Sequence, residues 1–248
     1  ELPERLRGRS QLSDEKVRES VKSIIAGVRE RGDAALIDYT EKFDHVKLDA
    51  KNLRVTESEI DAAYDKVDKR LIEAIRHSAR RIRAYHEKQK QKTWLDFGDE
   101  GYALGQKITP LGSAAVYVPG GTAMYPSSVL MNVIPASVAG VKRIAMLTPP
   151  MKDGSVYPLT LVSAREAGAT EIYRVGGAQA IAAAAFGTES IARVDKITGP
   201  GNIFVANAKR EVYGYVGIDM IAGPSEVLVV ADDSAPANYV AADMLSQA

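Results

Sequence analysis

From residue 110 onward the chain repeats one unit, a short apolar strand followed by a glycine-containing turn and a helix. Strands are predicted at 114–118, 143–147, 171–175 and 194–197. The helices that follow them are predicted at 126–139, 159–167, 178–186 and 202–213, with an interruption or kink at Pro135. Strands alternating with helices of this length favour βαβ units and a parallel sheet covered on both faces.

The first 109 residues have a different character, since they are dense in charge and their apolar residues recur at helical spacing. Ser13 is a predicted N-cap for a helix ending near Gly32, and Asp33 is the predicted N-cap of a second. Thr56 and Glu59 fit a capping box that opens a helical stripe toward residue 85. Alternation around 98–101 predicts a β-hairpin over 94–108.

These patterns predict an α/β fold class. An incomplete Rossmann-like parallel-sheet domain is expected at 110–222, preceded by a helical N-terminal section with a hairpin at 1–109. A further strand at 226–231 and a final helix from residue 236 are predicted to return to the N-terminal section, so that 223–248 would belong to it.

Composition removes several classes of function. Thirty-two Lys and Arg residues balance thirty-two Asp and Glu residues, which argues against a dedicated nucleic-acid binder. No apolar run approaches the ~20 residues of a membrane span, and the charged first residues are not a signal peptide. The absence of cysteine excludes disulfides and a cysteine nucleophile and suits a cytoplasmic location. The last residues lie in a helical pattern without a stop signal, which predicts a fragment.

Four glycine turns carry most of the chemical information, and they lie at 118–121, 175–179, 198–202 and 222–226. The first three follow a predicted strand and precede a helix, so we expect them to line one crevice at the carboxyl edge of the sheet. Tyr117, Gln179 and Asn202 stand at these turns and offer one ring and two amides to a planar, polar cofactor. No GxGxxG fingerprint is present, and the alternative is that glycine and proline only separate the elements of an α/β domain.

Other candidate sites are weaker. His45, His77 and His86 lack metal-ligand spacing; His45 is expected in a loop, and His77 and His86 are expected to be surface histidines on a charge-rich helix. The basic residues at 76–92 are expected to form a solvated helix face. No Ser-His-Asp set and no carboxylate dyad can be identified from spacing.

At the glycine turns the chain closely resembles histidinol dehydrogenases. The resemblance is carried by YVPGG at 117–121, VGGAQAIA at 175–182, DKITGPGN at 195–202, AGPSEV at 222–227 and DMLSQA at 243–248. It implies a zinc-dependent homodimer that oxidises L-histidinol through L-histidinaldehyde to L-histidine while reducing two NAD in succession. Another NAD-linked alcohol dehydrogenase and a non-enzymatic nucleotide-binding module are the alternatives.

The resemblance also assigns individual residues. Tyr117, Gln179 and Asn202 match the family's NAD contacts, Ser225 its substrate-binding serine, and Gln247 a glutamine that touches substrate and ligates zinc. The family's catalytic Glu-His pair and remaining zinc ligands follow Gln247, so no catalytic residue is expected within these 248 residues. A polypeptide of these residues alone is therefore expected to be inactive.

Overall fold

The structure is a computed structural model that describes residues 15–120, 124–221 and 227–246. Its N-terminal section contains α1 (Glu15–Arg31), α2 (Asp33–Asp44), a 3₁₀ turn (Ala50–Asn52), α3 (Glu57–Tyr64) and α4 (Lys69–Glu87). The capping box of α3 is formed by Thr56 and Glu59 as the sequence predicts. The hairpin follows as β1 (Trp94–Phe97) and β2 (Ala103–Gln106), which pair antiparallel.

The alternating part of the chain forms a five-stranded parallel sheet. Its strands are β3 (Ser113–Tyr117), β4 (Arg143–Thr148), β5 (Glu171–Arg174), β6 (Lys196–Thr198) and β7 (Gly217–Ile218). The connecting helices are α5 (Pro126–Ala139), α6 (Pro158–Ala167), α7 (Gly177–Phe186) and α8 (Ile203–Val212), and α9 (Ala237–Leu245) comes last. The strand order β5-β4-β3-β6-β7 reverses direction at β3, as in a doubly wound fold. The predicted α/β fold class is thereby confirmed.

Side chains that alternate along each strand supply two apolar cores, one on each face of the sheet. Ala115 and Tyr117 of β3 face a core shared with α1, α2, α7 and α8. Val116 and Val118 face the second core, which is shared with α3, α4, α5 and α6. The N-terminal helices therefore cover both faces of the sheet. Nothing in this packing tests where a domain boundary lies, and the division at 109 and 222 stays a prediction.

Helix α7 is enclosed along its length. Its eight consecutive residues 178–185 are all buried, and six of them are alanines. The helix packs against α1 and α8, and its residues belong to the same core as the inward-facing residues of β3 and β4. Small side chains allow these layers to approach closely, so α7 fixes the position of the turn from which it begins.

Two local predictions are wrong. The apolar run at 227–231 is not a strand, because it pairs with no described segment, and Leu228 and Val230 are 88% and 89% exposed. Asp33 is not an N-cap: the cap is Gly32, and the Asp33 carboxylate instead accepts hydrogen bonds from Ser190. Helix α5 runs through Pro135 without an interruption, and the alternative prediction of a kink there stays a prediction. Ser13, the predicted cap of α1, lies outside the described residues.

None of the helices within the described ranges has the length and apolar character needed to cross a membrane.

Candidate functional site

A cavity of about 460 Å³ opens where the strand order reverses, outside the carboxyl ends of the parallel strands. In open α/β sheets this is the place where ligands bind. Tyr117, Gln179 and Asn202 all line the cavity, although they follow three different strands. The structure thus brings the three predicted cofactor contacts together. Its other lining residues are Ser20, Ile24, Phe43, Asp44, Pro119, Gly120, Pro149, Gly177, Ala178 and Phe204.

The floor of the cavity is built by glycine turns packed against one another. The Gly177 amide donates a hydrogen bond of 3.1 Å to the Tyr117 hydroxyl, which ties the start of α7 to the end of β3. Gly177 has a φ of +63°, and a Cβ there would lie 2.7 Å from Gln179 Oε1. A residue with a side chain would therefore be strained and would collide with Gln179. Glycine at 177 therefore avoids backbone strain at the start of α7 and leaves the Gln179 side chain its position at the cavity.

Tyr117 is a buried wall of the cavity and is 4% exposed. Burial, the largest cause, and the nearby Asp44 carboxylate together raise the pKa of its hydroxyl to about 12, while the hydrogen bond from Gly177 acts in the opposite direction. The phenol is therefore neutral at physiological pH. It can hold the Gly177 turn and present its ring to a ligand, but it does not act as a base.

The turn after β6 is fixed by an ion pair between a buried lysine and an exposed carboxylate, which sequence analysis did not identify. Lys209 of α8 is buried, pairs with Asp219 and donates a hydrogen bond of 3.0 Å to the Gly199 carbonyl. The Asp219 carboxylate also accepts a hydrogen bond of 2.8 Å from the Gly199 amide. Gly199 has a φ of +115°, and a Cβ at this position would lie only 2.1 Å from the Tyr117 carbonyl oxygen. The amide and the carbonyl of Gly199 are thus both fixed by hydrogen bonds, to Asp219 and from Lys209, and the turn lies close against the end of β3.

Asn202 both caps helix α8 and lines the cavity. Its side-chain oxygen accepts hydrogen bonds of 3.1 Å from the amides of Phe204 and Val205, which makes it the N-cap of α8. The capping contacts use the oxygen and leave the side-chain NH₂ as a donor at the cavity. Gln179, by contrast, is 1% exposed and belongs to the enclosed helix α7. The two amides are therefore placed rigidly.

Asp44 is a lining residue that sequence analysis missed, and it is the one charged residue among those that line the cavity. It is the last residue of α2 and reaches the cavity from the N-terminal section. Its Oδ2 is shielded from solvent and has no hydrogen-bond partner among the described residues. Burial raises the pKa of this carboxyl to about 6, against a smaller lowering by His45. The sequence shows only an acidic residue at the end of a charge-rich helix, and this pattern does not distinguish a carboxyl shielded at a cavity from one exposed to solvent.

A second cavity, of about 610 Å³, lies beside α5 over β6. Its wall is mostly apolar, with Met131, Pro135 and Val138 among the residues of α5, and His86 lies at its margin. It contains none of the predicted cofactor contacts and none of the glycine turns at the ends of the strands. The cavity at the strand reversal is therefore the stronger candidate site.

The part of the chain that the structure describes contains no group of three or more His, Cys, Asp or Glu side chains that could hold a metal ion. Ser225 and Gln247, the predicted substrate and zinc residues, lie outside the described residues. The described residues thus do not fit a zinc site. The crevice does fit a dinucleotide, because it combines aromatic walls and fixed amides with an unpartnered carboxyl.

The chain matches known proteins along nearly its whole length. The sequence model of the family described as histidinol dehydrogenase matches residues 7–248. The chain is 58% identical to the histidinol dehydrogenase of Geobacillus kaustophilus over 251 residues, covering 99% of this chain and 59% of that protein. It is also 58% identical to the Bacillus subtilis histidinol dehydrogenase, covering 94% of this chain and 54% of the relative.

A solved structure supports the same relationship. The crystal structure of histidinol dehydrogenase from Elizabethkingia anophelis superimposes with a TM-score of 0.86 at 43% sequence identity. The match covers 93% of this chain and 53% of the crystallised one. The chain therefore spans between about half and three-fifths of the length of the relatives it matches.

Proposed function

Because the chain belongs to the histidinol dehydrogenase family, we propose that the whole protein oxidises L-histidinol through L-histidinaldehyde to L-histidine, reducing two NAD in succession. The observation that carries this proposal is the meeting of Tyr117, Gln179 and Asn202 in one cavity at the strand reversal. In this proposal the 248 residues supply the dinucleotide crevice. Membership of this family supports the assignment of the whole protein as an oxidoreductase of histidine biosynthesis. NAD as its cofactor and the two successive oxidation steps are what we propose.

The described residues suit a dinucleotide for separate physical reasons. The ring of Tyr117 offers an apolar surface, and the exposed rings of Phe43 and Phe204, together with Pro149, add further apolar walls. Asn202 presents its side-chain NH₂ at the cavity because its oxygen already caps α8. When bound, the nicotinamide ring accepts a hydride from the substrate carbon. The task of these residues is to bind and orient the cofactor, since the neutral Tyr117 is not a base.

Substrate and metal binding are assigned by resemblance. We propose that Ser225 contacts L-histidinol and that Gln247 both contacts substrate and contributes one zinc ligand through its amide oxygen. Zinc more commonly takes nitrogen, sulfur or carboxylate ligands, so an amide would be one neutral member of a larger set. No catalytic step is derived through zinc, because the described residues do not form its site.

Three further expectations accompany this function. We propose that the whole protein is a homodimer acting in the cytoplasm, with no nucleic-acid or membrane partner. We also propose that a polypeptide of these 248 residues binds NAD weakly and does not oxidise histidinol. In this proposal the general acid–base residue follows Gln247, and such a residue normally contributes about 100- to 10,000-fold to the rate.

The test uses two purified proteins, the 248-residue chain and the full-length protein. NAD binding to the chain is measured by isothermal titration calorimetry, and NADH formation from L-histidinol is followed by absorbance for both proteins with zinc present. We expect NAD binding by both and turnover only by the full-length protein. A full-length protein that binds NAD but oxidises other alcohols and not histidinol would favour a different NAD-linked dehydrogenase.

The contribution of the crevice is tested with Gln179→Ala, which removes a side chain enclosed at the cavity. A matched control is Gln91→Ala, because Gln91 is exposed and lies outside this cavity. We expect Gln179→Ala to weaken NAD binding by about tenfold, the equivalent of one lost hydrogen bond, while Gln91→Ala has no effect. Equal NAD affinity in the two variants would show that the dinucleotide binds elsewhere.

A further inference from the structure

The carboxyl of Asp44 has an unmet requirement for a hydrogen-bond donor. One of its oxygens is shielded from solvent, and no donor from the described residues reaches it. Asp44 also takes part in no ion pair within the described part of the chain. Buried polar atoms without partners are rare in folded proteins and call for an explanation. A rotation of the carboxyl group that turns Oδ2 toward the adjoining cavity would let a donor of a bound ligand supply the missing partner.

The position of Asp44 in the fold indicates which group of a ligand would donate this hydrogen bond. In Rossmann-like folds an acidic residue after the second strand of the unit binds the ribose 2′-hydroxyl of a dinucleotide. Here the second strand is β4, and Pro149 and Pro150 follow it directly. The next acid, Asp153, is exposed and already accepts hydrogen bonds from the amide and hydroxyl of Ser155. The strand end therefore supplies no free carboxylate.

Asp44 reaches the same cavity as Pro149 from a different direction. It is carried by α2, which precedes the parallel sheet in the chain and packs against α7. The torsion that orients a carboxyl group is broad and roughly two-fold, so either oxygen can turn toward a donor in the cavity. The rings of Phe43 and Tyr117 beside it are apolar, and the Tyr117 hydroxyl, which accepts a hydrogen bond from the Gly177 amide, makes none to Asp44 Oδ2.

We infer that Asp44 is a specificity-determining residue that accepts a hydrogen bond from the adenosine ribose 2′-hydroxyl of the dinucleotide and excludes a dinucleotide phosphorylated at that position. This inference rests on the proposed function, since it requires a dinucleotide in the crevice. A 2′-phosphate would both remove the hydroxyl donor and place negative charge against the carboxylate. The acid that selects NAD in this protein thus comes from the N-terminal helices and not from the sheet.

The experiment measures the dissociation constants of NAD and NADP for the 248-residue chain by isothermal titration calorimetry at neutral pH. Asp44→Asn keeps the size of the side chain and removes its charge. Asp99→Asn, in the exposed turn of the hairpin, is the matched control. We expect Asp44→Asn to weaken NAD binding by about 10-fold or more, as for the loss of a charged hydrogen bond, and to leave NADP binding unchanged or improved. The control should behave as the wild type.

The possible outcomes separate this inference from the proposed function. If the wild-type chain binds NAD and Asp44→Asn changes its affinity less than twofold, the role of Asp44 is refuted and the crevice proposal stands. Loss of affinity for NAD and NADP by the same factor also refutes it, because the ribose 2′-position is then not what Asp44 contacts. If the wild-type chain binds neither nucleotide but is folded by circular dichroism, the proposed dinucleotide crevice fails together with the inference.

Discussion

Replacing Asp44 with asparagine is expected to stabilise the nucleotide-free chain at neutral pH, even though it is expected to weaken NAD binding. Burial raises the pKa of this carboxyl from 3.8 to about 6 in the folded protein. The folded state therefore holds a proton more tightly than the unfolded chain does. Above about pH 6 the folded state must keep the charged form in unfavourable surroundings, and this lowers the free energy of unfolding.

The sign and size of the effect follow from that shift. As the pH falls from about 6 toward 3.8, the folded Asp44 takes up its proton first, and the destabilisation disappears. A shift of about two pH units corresponds to about 3 kcal/mol at most. Because the side chain is partly exposed, solvent screening reduces this to about 1–2 kcal/mol. For a chain of this length we expect the melting temperature to rise by about 2–8 °C.

The assay is thermal and urea unfolding, followed by circular dichroism, at about pH 7.5 and about pH 5 without nucleotide. Wild type, Asp44→Asn and the control Asp99→Asn are compared. The stabilisation by Asp44→Asn should be largest at the higher pH and clearly smaller at the lower one, while the control should follow the wild type at both. An Asp44→Asn variant that is less stable than wild type at pH 7.5, or whose gain is the same at both pH values, would refute the reasoning.

Three further predictions concern the turns of the cavity. Gly199→Ala should lower the free energy of unfolding by more than about 3 kcal/mol, because the new Cβ would collide with the backbone of Tyr117. The control Gly214→Ala should lower it by only about 1–2 kcal/mol, because Gly214 has a φ of +100° but open space around it, so that backbone strain is the only cost. Equal losses for the two variants in urea melts would contradict this. Lys209→Met should lower the unfolding free energy in urea melts by about 1–2 kcal/mol, because it removes the ion pair and the hydrogen bond to the Gly199 carbonyl, while the exposed Asp219 keeps its hydrogen bond from the Gly199 amide. Asn202→Ala should cost about 1 kcal/mol through loss of the α8 cap, while Asn202→Asp should retain most of the stability.

Much of the fold could be predicted because its signals are local. Pro126 at the start of α5 and Gly140 and Gly168 after α5 and α6 mark helix ends by their backbone preferences alone. The short strands of the sheet are apolar on both faces because helices cover both. Strand β7 was missed, since the two residues Gly217–Ile218 are too few to show any periodicity. It is a strand only because β6 pairs with it.

The failures occurred where long-range contacts decide the outcome. The run at 227–231 has the composition of a strand, but a strand needs a partner, and no described segment pairs with it. At the site, the three turn residues were predictable because the carboxyl ends of parallel strands share one edge. Asp44 was not predictable, because its burial depends on packing against residues that lie more than seventy positions further along the chain. Lys209 likewise resembled an ordinary basic residue of an exposed helix face.

The enclosure of helix α7 has a consequence for how this protein can change over evolutionary time. A helix with a solvent face can accept neutral substitutions there, but residues 178–185 have none. Each added methyl or methylene group must displace a neighbouring layer, and overpacking of this kind typically costs about 1–3 kcal/mol. A saturation-mutagenesis library selected for folded protein should therefore show an uninterrupted eight-residue window in which only glycine, serine and alanine survive at the alanine positions. Such a window would keep its sequence while the charged helices around it diverge.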